Sequence, residues 1–331
     1  MTVLWLLLLF LIIGGVFAAD VKIVQLGDSY SSGVGAVATR HDYDETVIPE
    51  CWRSSHGWGG QYAGHLLLAA NNNYNVTYVN GACSGAKSHD LLQANLVSQK
   101  WGLCPFRRKR NTAEVFYNRT RFKLKCNKYA VPQINYVDPA TDLVLLTIGG
   151  NDALFAQLLS NCILGISIRE ARKCLEIIAE ARTTQVNYTE TIKEALVEIW
   201  YKMGESGKIV VFQYPHLIQN YSRIWNDPRS GIYIDGPQLV RQFTEEGNHA
   251  YIVAAEELNT AMGVEFLTIY SKTMDLFANH EPDPRKHSRN DDRWISEFER
   301  PIGSVFHPNR RGHWEWGAAV ALEGVFGIDL S

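Results

Sequence analysis

The 331-residue chain has little of what would assign a protein at sight. Its formal net charge is -3, so no bias towards nucleic acid is present, and no stretch resembles a nucleic-acid-binding motif. None of its six cysteines forms a CxxC pair with nearby histidines, which argues against a zinc site. No internal period and no flexible linker interrupt it. After the amino-terminal segment, no apolar run is long enough to cross a bilayer. With no repeat and no linker, the chain reads as one domain with insertions.

Thr2 to Ala19 is almost wholly apolar and ends in Val16-Phe17-Ala18-Ala19. Small residues closing an apolar core resemble a secretory signal peptide, cleaved near Ala18 or Ala19. No Lys or Arg precedes the core, which leaves an uncleaved anchor as the rival, but a strand-like segment begins at Val21 without a spacer. The expectation is a signal peptide over 1–19 and a single domain over 20–331, long enough for a substantial core. An even number of cysteines behind such a segment reads as disulfides in an oxidising compartment. Sequence order suggests Cys51–Cys83, Cys104–Cys126 and Cys162–Cys174, although spacing alone leaves other connectivities open. Sequons at Asn75, Asn118, Asn187 and Asn220 point the same way. The expected location is extracellular.

Val21 to Leu26 reads as a buried strand, and it runs into Gly27-Asp28-Ser29-Tyr30-Ser31-Ser32-Gly33. Helical spacing predicts a helix over 58–70, and a short strand follows over 76–80. That strand leaves through Gly81-Ala82-Cys83-Ser84-Gly85-Ala86, with a helix expected over 90–97. A basic insertion at about 100–140 opens with Arg107-Arg108-Lys109-Arg110. It reads as a solvated face, as a processing-protease site, or as a patch for anionic head groups at a lipid surface. Asp142 to Ile148 is the clearest parallel-type strand, running into Gly149-Gly150-Asn151-Asp152 and a helix over 153–164. Further helices are expected over 168–182, 189–203 and 238–262, with strands over 208–212 and 265–269. A Pro-rich loop precedes Phe306-His307-Pro308-Asn309 and a last helix to about Phe326. Strands alternating with helices predict a parallel sheet covered on both faces.

Four candidate residues stand at loop starts: Ser29, Gly85, Asn151 and His307. Acyl transfer needs an activated hydroxyl, a base, and donors aimed at the developing oxyanion. Ser29 can supply the hydroxyl and His307 the imidazole. The main-chain N–H groups of Ser29 and Gly85 and the amide of Asn151 can supply the donors. Singly, each has a plainer reading as a turn serine, a turn glycine, a helix cap or a loop histidine. Asp28 and Asp152 read as residues that hold the loops. Trp52, Trp58 and Phe155 read as acyl-pocket walls.

Taken together, these four blocks resemble those of the GDSL/SGNH hydrolases, in order and over nearly the whole chain. The strings around Cys83, Asn151 and His307-Pro308-Asn309 resemble the secreted, disulfide-containing lipases and esterases of actinomycetes. That resemblance implies a three-layer αβα sandwich with a five-stranded, mostly parallel, flavodoxin-like sheet. It implies hydrolysis of carboxylic esters, lipid or short-chain, by a lid-less site without metal or cofactor. The expected partner is an ester substrate, with transient lipid-surface contact and a monomeric chain. Where most of the family carries an aspartate three residues before the histidine, this chain has Ser304. The resemblance then implies a dyad, with the Ser304 carbonyl orienting His307. Asp291, Asp292, Glu297 and Glu299 are alternative supports. A carbohydrate acetyl-esterase and a catalytically silent secreted binding protein remain the rival functions.

Overall fold

The computed structural model describes residues 19–44, 48–69, 74–101, 115–119, 125–283, 285, 290–297 and 304–322. The signal-peptide reading, the basic run at 107–110, Cys104 and Glu299 lie outside them. Strand β1 (Ala19–Gly27) leads to helix α1 (Trp58–Ala69) and strand β2 (Tyr74–Asn80). Three strands follow, β3 (Asn95–Trp101), β4 (Val115–Arg119) and β5 (Lys125–Ala130), then β6 (Leu143–Thr147). Helix α2 (Ile168–Lys202) precedes β7 (Lys208–Phe212), the hairpin β8 (Ile224–Asn226) and β9 (Tyr233–Asp235), and α3 (Gly236–Met262). Strand β10 (Leu267–Tyr270) and helix α4 (Arg310–Leu322) complete the order.

The main sheet runs β10-β7-β6-β1-β2, and every neighbouring pair is parallel. Its central strands β1, β6 and β7 are apolar on both faces because both faces are covered. Ile23, Leu145, Val210 and Phe212 pack with Trp58, Tyr62, Leu66 and Trp316 of α1 and α4. The alternate residues Val24, Leu26, Val144, Leu146 and Val211 pack with Leu196 and Ile199 of α2 and Leu258 of α3. Helices therefore form the outer layers of an αβα sandwich. The strand order reverses between β1 and β6, and this switch point is where open α/β sheets leave a crevice for ligand. Ser29 and Asn151 follow those two strands.

Several local expectations differ from the structure. Residues 90–97 do not form a helix: Ser88–Leu91 is a 3-10 turn, with the Asp90 carboxylate on Lys87 N at 2.8 Å. The chain then enters β3, which pairs antiparallel with β5. The insertion is thus built on a three-stranded sheet, β3-β5-β4. Pairing with a distant strand outweighed the local helical pattern. Lys128 of that sheet reaches Glu50 at 2.7 Å. The helices expected over 168–182 and 189–203 are one 35-residue helix, α2. Thr183 and Thr184 look like a break, but their hydroxyls return to the carbonyls of Ala179 at 2.8 Å and Glu180 at 3.2 Å. Ser167 and Glu170 form a capping box at its start. Residues 153–164 hold only a short helix, Phe155–Leu158, and a π turn, Leu159–Ile163.

Disulfides Cys51–Cys83 and Cys162–Cys174 are present. Cys126 is also disulfide-bonded. Asn75, Asn187 and Asn220 are exposed.

Candidate active site

The loop after β1 is shaped by a glycine. Gly27 has φ +115°, and a Cβ there would lie 2.0 Å from the Thr147 carbonyl oxygen of the neighbouring strand. Asp28 follows as the cap of a single helical turn, Ser29–Ser32, and accepts from Tyr30 N at 3.1 Å. Its carboxylate also accepts from the Thr147 hydroxyl at 2.9 Å and from the Tyr214 hydroxyl. Burial pushes the Asp28 carboxyl up to about 6, against the pull of these donors. Gln133 reaches in from the insertion, and its side-chain amide pairs with both main-chain groups of Gly27 at 2.6 and 2.9 Å. The first loop is thus held from β6, from the insertion and from the segment beyond β7.

Ser29 and His307, 278 residues apart, meet here. The Ser29 hydroxyl lies 2.7 Å from His307 Nε2, and both side chains are buried. His307 Nδ1 lies 3.0 Å from the Val305 carbonyl. The Ser304 carbonyl accepts the His307 main-chain N–H at 2.9 Å and also draws the imidazole pKa upward. The main-chain support expected at Ser304 is thus shared, with Val305 O as the acceptor nearest Nδ1. Asp292 instead faces Arg311 and His280, and Glu297 caps Asp283 N at 3.1 Å.

Burial holds the His307 imidazole down at about 4, with the two carbonyls opposing it. The ring is therefore neutral through the physiological range and can accept a proton at Nε2. A general base at this ring must be neutral to work, which predicts a kcat/KM that stays on its plateau to about pH 5 and falls towards pH 4. A limb near the free-imidazole value would instead mean that water reaches the ring during turnover. The stability linked to this depressed pKa has the same sign. It is fully present above 6.5 and lost as pH falls through about 4.

The donor residues lie at adjoining loops. Cys83 N bonds Gly27 O at 3.0 Å, and Ser84 N bonds Cys51 O at 3.0 Å beside the disulfide, so the turn carrying Gly85 is tied to the β1 loop. Gly85 has φ +83°, with open space where a Cβ would stand. Backbone conformation, not crowding, is what calls for glycine. Asn151 Nδ2 donates to Ala86 O at 3.0 Å, which locks the amide against the Gly85 turn and leaves its second N–H. Asp152 accepts from Ser88 N and the Ser88 hydroxyl, both at 2.9 Å, and so holds the two loops together.

Tyr214 has no sequence motif, yet its hydroxyl meets both Asp28 and Gly150 N, the latter at 3.2 Å. Its position two residues beyond β7, at the carboxyl end of the sheet, is the only clue. Phe155 stands 5.7 Å from the His307 ring and lines an apolar pocket with Leu158, Tyr214, Leu217, Val240 and Phe243. Trp58 does not line it: that indole is core, 5.0 Å from Trp316, and donates to Tyr30 O at 3.1 Å. Trp52 stands 5.2 Å from Tyr43. His313, the other histidine near the site, is spoken for: Trp58 N donates to its Nδ1 at 3.2 Å, and its Nε2 lies 3.0 Å from Val34 O.

Known proteins resemble this chain in sequence and in fold. A lipase of Streptomyces rimosus is 25% identical over 296 residues, covering 87% of this chain and 81% of its own. Lipase 1 of Streptomyces coelicolor is 24% identical over 298 residues, with the same coverage. Two solved structures share the fold at TM-score 0.59 and 22% identity, an extracellular lipase from Streptomyces rimosus and a phospholipase A1 from Streptomyces albidoflavus. Each likeness covers 92% of this chain and 99% of the other. The GDSL-like Lipase/Acylhydrolase family matches residues 26–315. The chain belongs to that family and is a carboxylic ester hydrolase.

Proposed function

We propose that the protein is a secreted serine esterase of lipid-type acyl esters, working through a Ser29–His307 dyad. The observation that carries this is the 2.7 Å contact between the Ser29 hydroxyl and a buried imidazole held neutral. His307 Nε2 takes the Ser29 proton as the oxygen attacks the ester carbonyl carbon. The oxyanion is received by Ser29 N–H, Gly85 N–H and the free amide hydrogen of Asn151. Collapse breaks the bond to the alcohol, which leaves with the proton from His307. Water then repeats the sequence on the acyl-enzyme, releasing the acid and restoring Ser29. Secretion is supported by the two disulfides and the exposed sequons at Asn75, Asn187 and Asn220.

The apolar pocket beyond Phe155 argues for an acyl chain longer than acetate. Each buried methylene contributes about 0.8 kcal/mol, so about four of them raise kcat/KM by up to roughly two orders of magnitude. A series of esters from acetate to palmitate, run beside an acetylated polysaccharide, should therefore peak above acetate. A preference for the polysaccharide would make the protein a carbohydrate acetyl-esterase. A fluorophosphonate should label Ser29; an unlabelled serine would point to a silent binding protein on this fold.

A further inference from the structure

The segment that carries His307 contains a main-chain anomaly. His307 N–H donates to Ser304 O at 2.9 Å, closing a four-residue turn with Val305 and Phe306 at its centre. Phe306 has φ +60°, and Val305 is not among the residues of positive φ. A positive φ at the third position alone is the type II pattern, where glycine or asparagine is the usual occupant. A phenylalanine there is strained. Its ring cannot be given up, because Phe306 is fully buried in the core.

The strain has a geometric purpose. Types I and II differ by turning over the central peptide, here the one joining Val305 to Phe306. That peptide carries the Val305 carbonyl that meets His307 Nδ1 at 3.0 Å. In the relaxed turn the same carbonyl would face away from the ring. The unusual φ of Phe306 is thus what puts an acceptor behind the imidazole of a chain that lacks the family's aspartate.

Both ends of Phe306 are pinned. Its N–H donates to Ser296 O at 2.8 Å, and its carbonyl accepts from the Tyr30 hydroxyl at 2.6 Å. Tyr30 is the residue after the nucleophile, fully buried, with its own carbonyl held by Trp58 Nε1 at 3.1 Å. Its ring stands edge-on to Phe155 and Tyr214 and 5.1 Å from His307. We propose that Tyr30 is a positioning residue: its hydroxyl latches the strained Ser304–His307 turn and keeps the Val305 carbonyl on the imidazole. One side chain then registers the nucleophile's turn against the base's turn, 276 residues away. The proposal rests on the Ser29–His307 reading above.

The pH dependence tells a latch from mere packing. The titratable groups about His307 are Ser29, Tyr30 and Asp28 of the first loop, Tyr214 across the Tyr30 ring, and His313 of α4, also near 4. Burial lowers the His307 pKa, and only the Val305 and Ser304 carbonyls raise it. Losing Val305 O moves the acid limb of kcat/KM further down. General loosening admits water and moves it up, towards 6.5.

The test is Tyr30→Phe, assayed for kcat, KM and the acid limb on a soluble ester. The expected result is a fall in kcat on the order of 10- to 100-fold with KM within about two-fold, and a limb shifted to lower pH. Adding Phe306→Gly, which removes the need for a latch, should return most of the lost kcat although it opens a cavity. A kcat near that of the unaltered enzyme, or a limb that moves up, overturns the proposal. So does a folded double variant without recovery; if that variant does not fold, the limb of the single one decides. Fluorophosphonate labelling of the unaltered enzyme keeps the two readings apart. Without a Ser29 adduct the dyad itself fails, whereas an adduct with an unaffected Tyr30→Phe enzyme removes the latch alone.

Discussion

Ser29→Ala should leave a folded protein whose turnover of a chromogenic ester falls on the order of 10³-fold or more. The size follows from the site's design: Ser29 is the hydroxyl that stands against His307 Nε2 among the described residues, and its loss leaves the imidazole nothing to activate there. The residual rate would come from the donors at Ser29 N, Gly85 and Asn151, which the substitution leaves in place. Stability should change by only about 1 kcal/mol, since one hydrogen bond is lost from a turn still capped by Asp28. Circular dichroism and a urea midpoint, measured beside the assay, separate lost chemistry from lost fold. A folded variant that retains turnover would remove Ser29 from the mechanism.

Gly27→Ala should be nearly as damaging, by a different route. The new methyl would lie 2.0 Å from Thr147 O and 3.0 Å from the Ser31 hydroxyl, at a φ of +115°. That oxygen accepts Asp28 N at 3.0 Å, so relief means parting the bond that seats the nucleophile's loop on β6. Conformational strain of about 1–2 kcal/mol and overpacking of about 1–3 kcal/mol together remove about 2–5 kcal/mol, a large share of the roughly 5–15 kcal/mol that holds an ordinary domain. The expected result is a large fall in urea midpoint, or no soluble protein at all. Gly64→Ala is the control. Gly64 is exposed in α1 with nothing within 4 Å of where a methyl would stand, and alanine there should be neutral or stabilising by up to about 1 kcal/mol. Equal midpoints for the two variants would show that the loop tolerates the shift.

Much of this frame was legible because buried parallel strands announce themselves as unbroken apolar runs. Strand β7 begins and ends where its residues 208–212 suggest, and β6 differs by one residue at either end. Ser29, Gly85, Asn151 and His307 were legible as loop-start residues with complementary chemistry. What was illegible depends on distant partners. Nothing local in Asn95–Trp101 tells that β5 will pair with it, and nothing near Thr183 tells that its hydroxyl will turn inward to the helix. The acceptor behind His307 turned on a peptide orientation that phenylalanine conceals and a glycine would have disclosed. Gln133, Tyr30 and Tyr214 carry no motif; each acts through a contact made across more than a hundred residues.

The loop after β6 belongs both to the candidate site, through Asn151, and to the apolar pocket, through Phe155 and Leu158. The rest of the pocket wall includes Leu217, beyond β7, and Val240 and Phe243 of α3. Substitutions at these three positions would reshape the pocket while leaving Ser29, Gly85, Asn151 and His307 unchanged. Tyr214 is the joint between the two parts, lining the pocket with its ring while its hydroxyl meets Asp28 and Gly150. A substitution there would alter the pocket and the support of the Asp28 loop together.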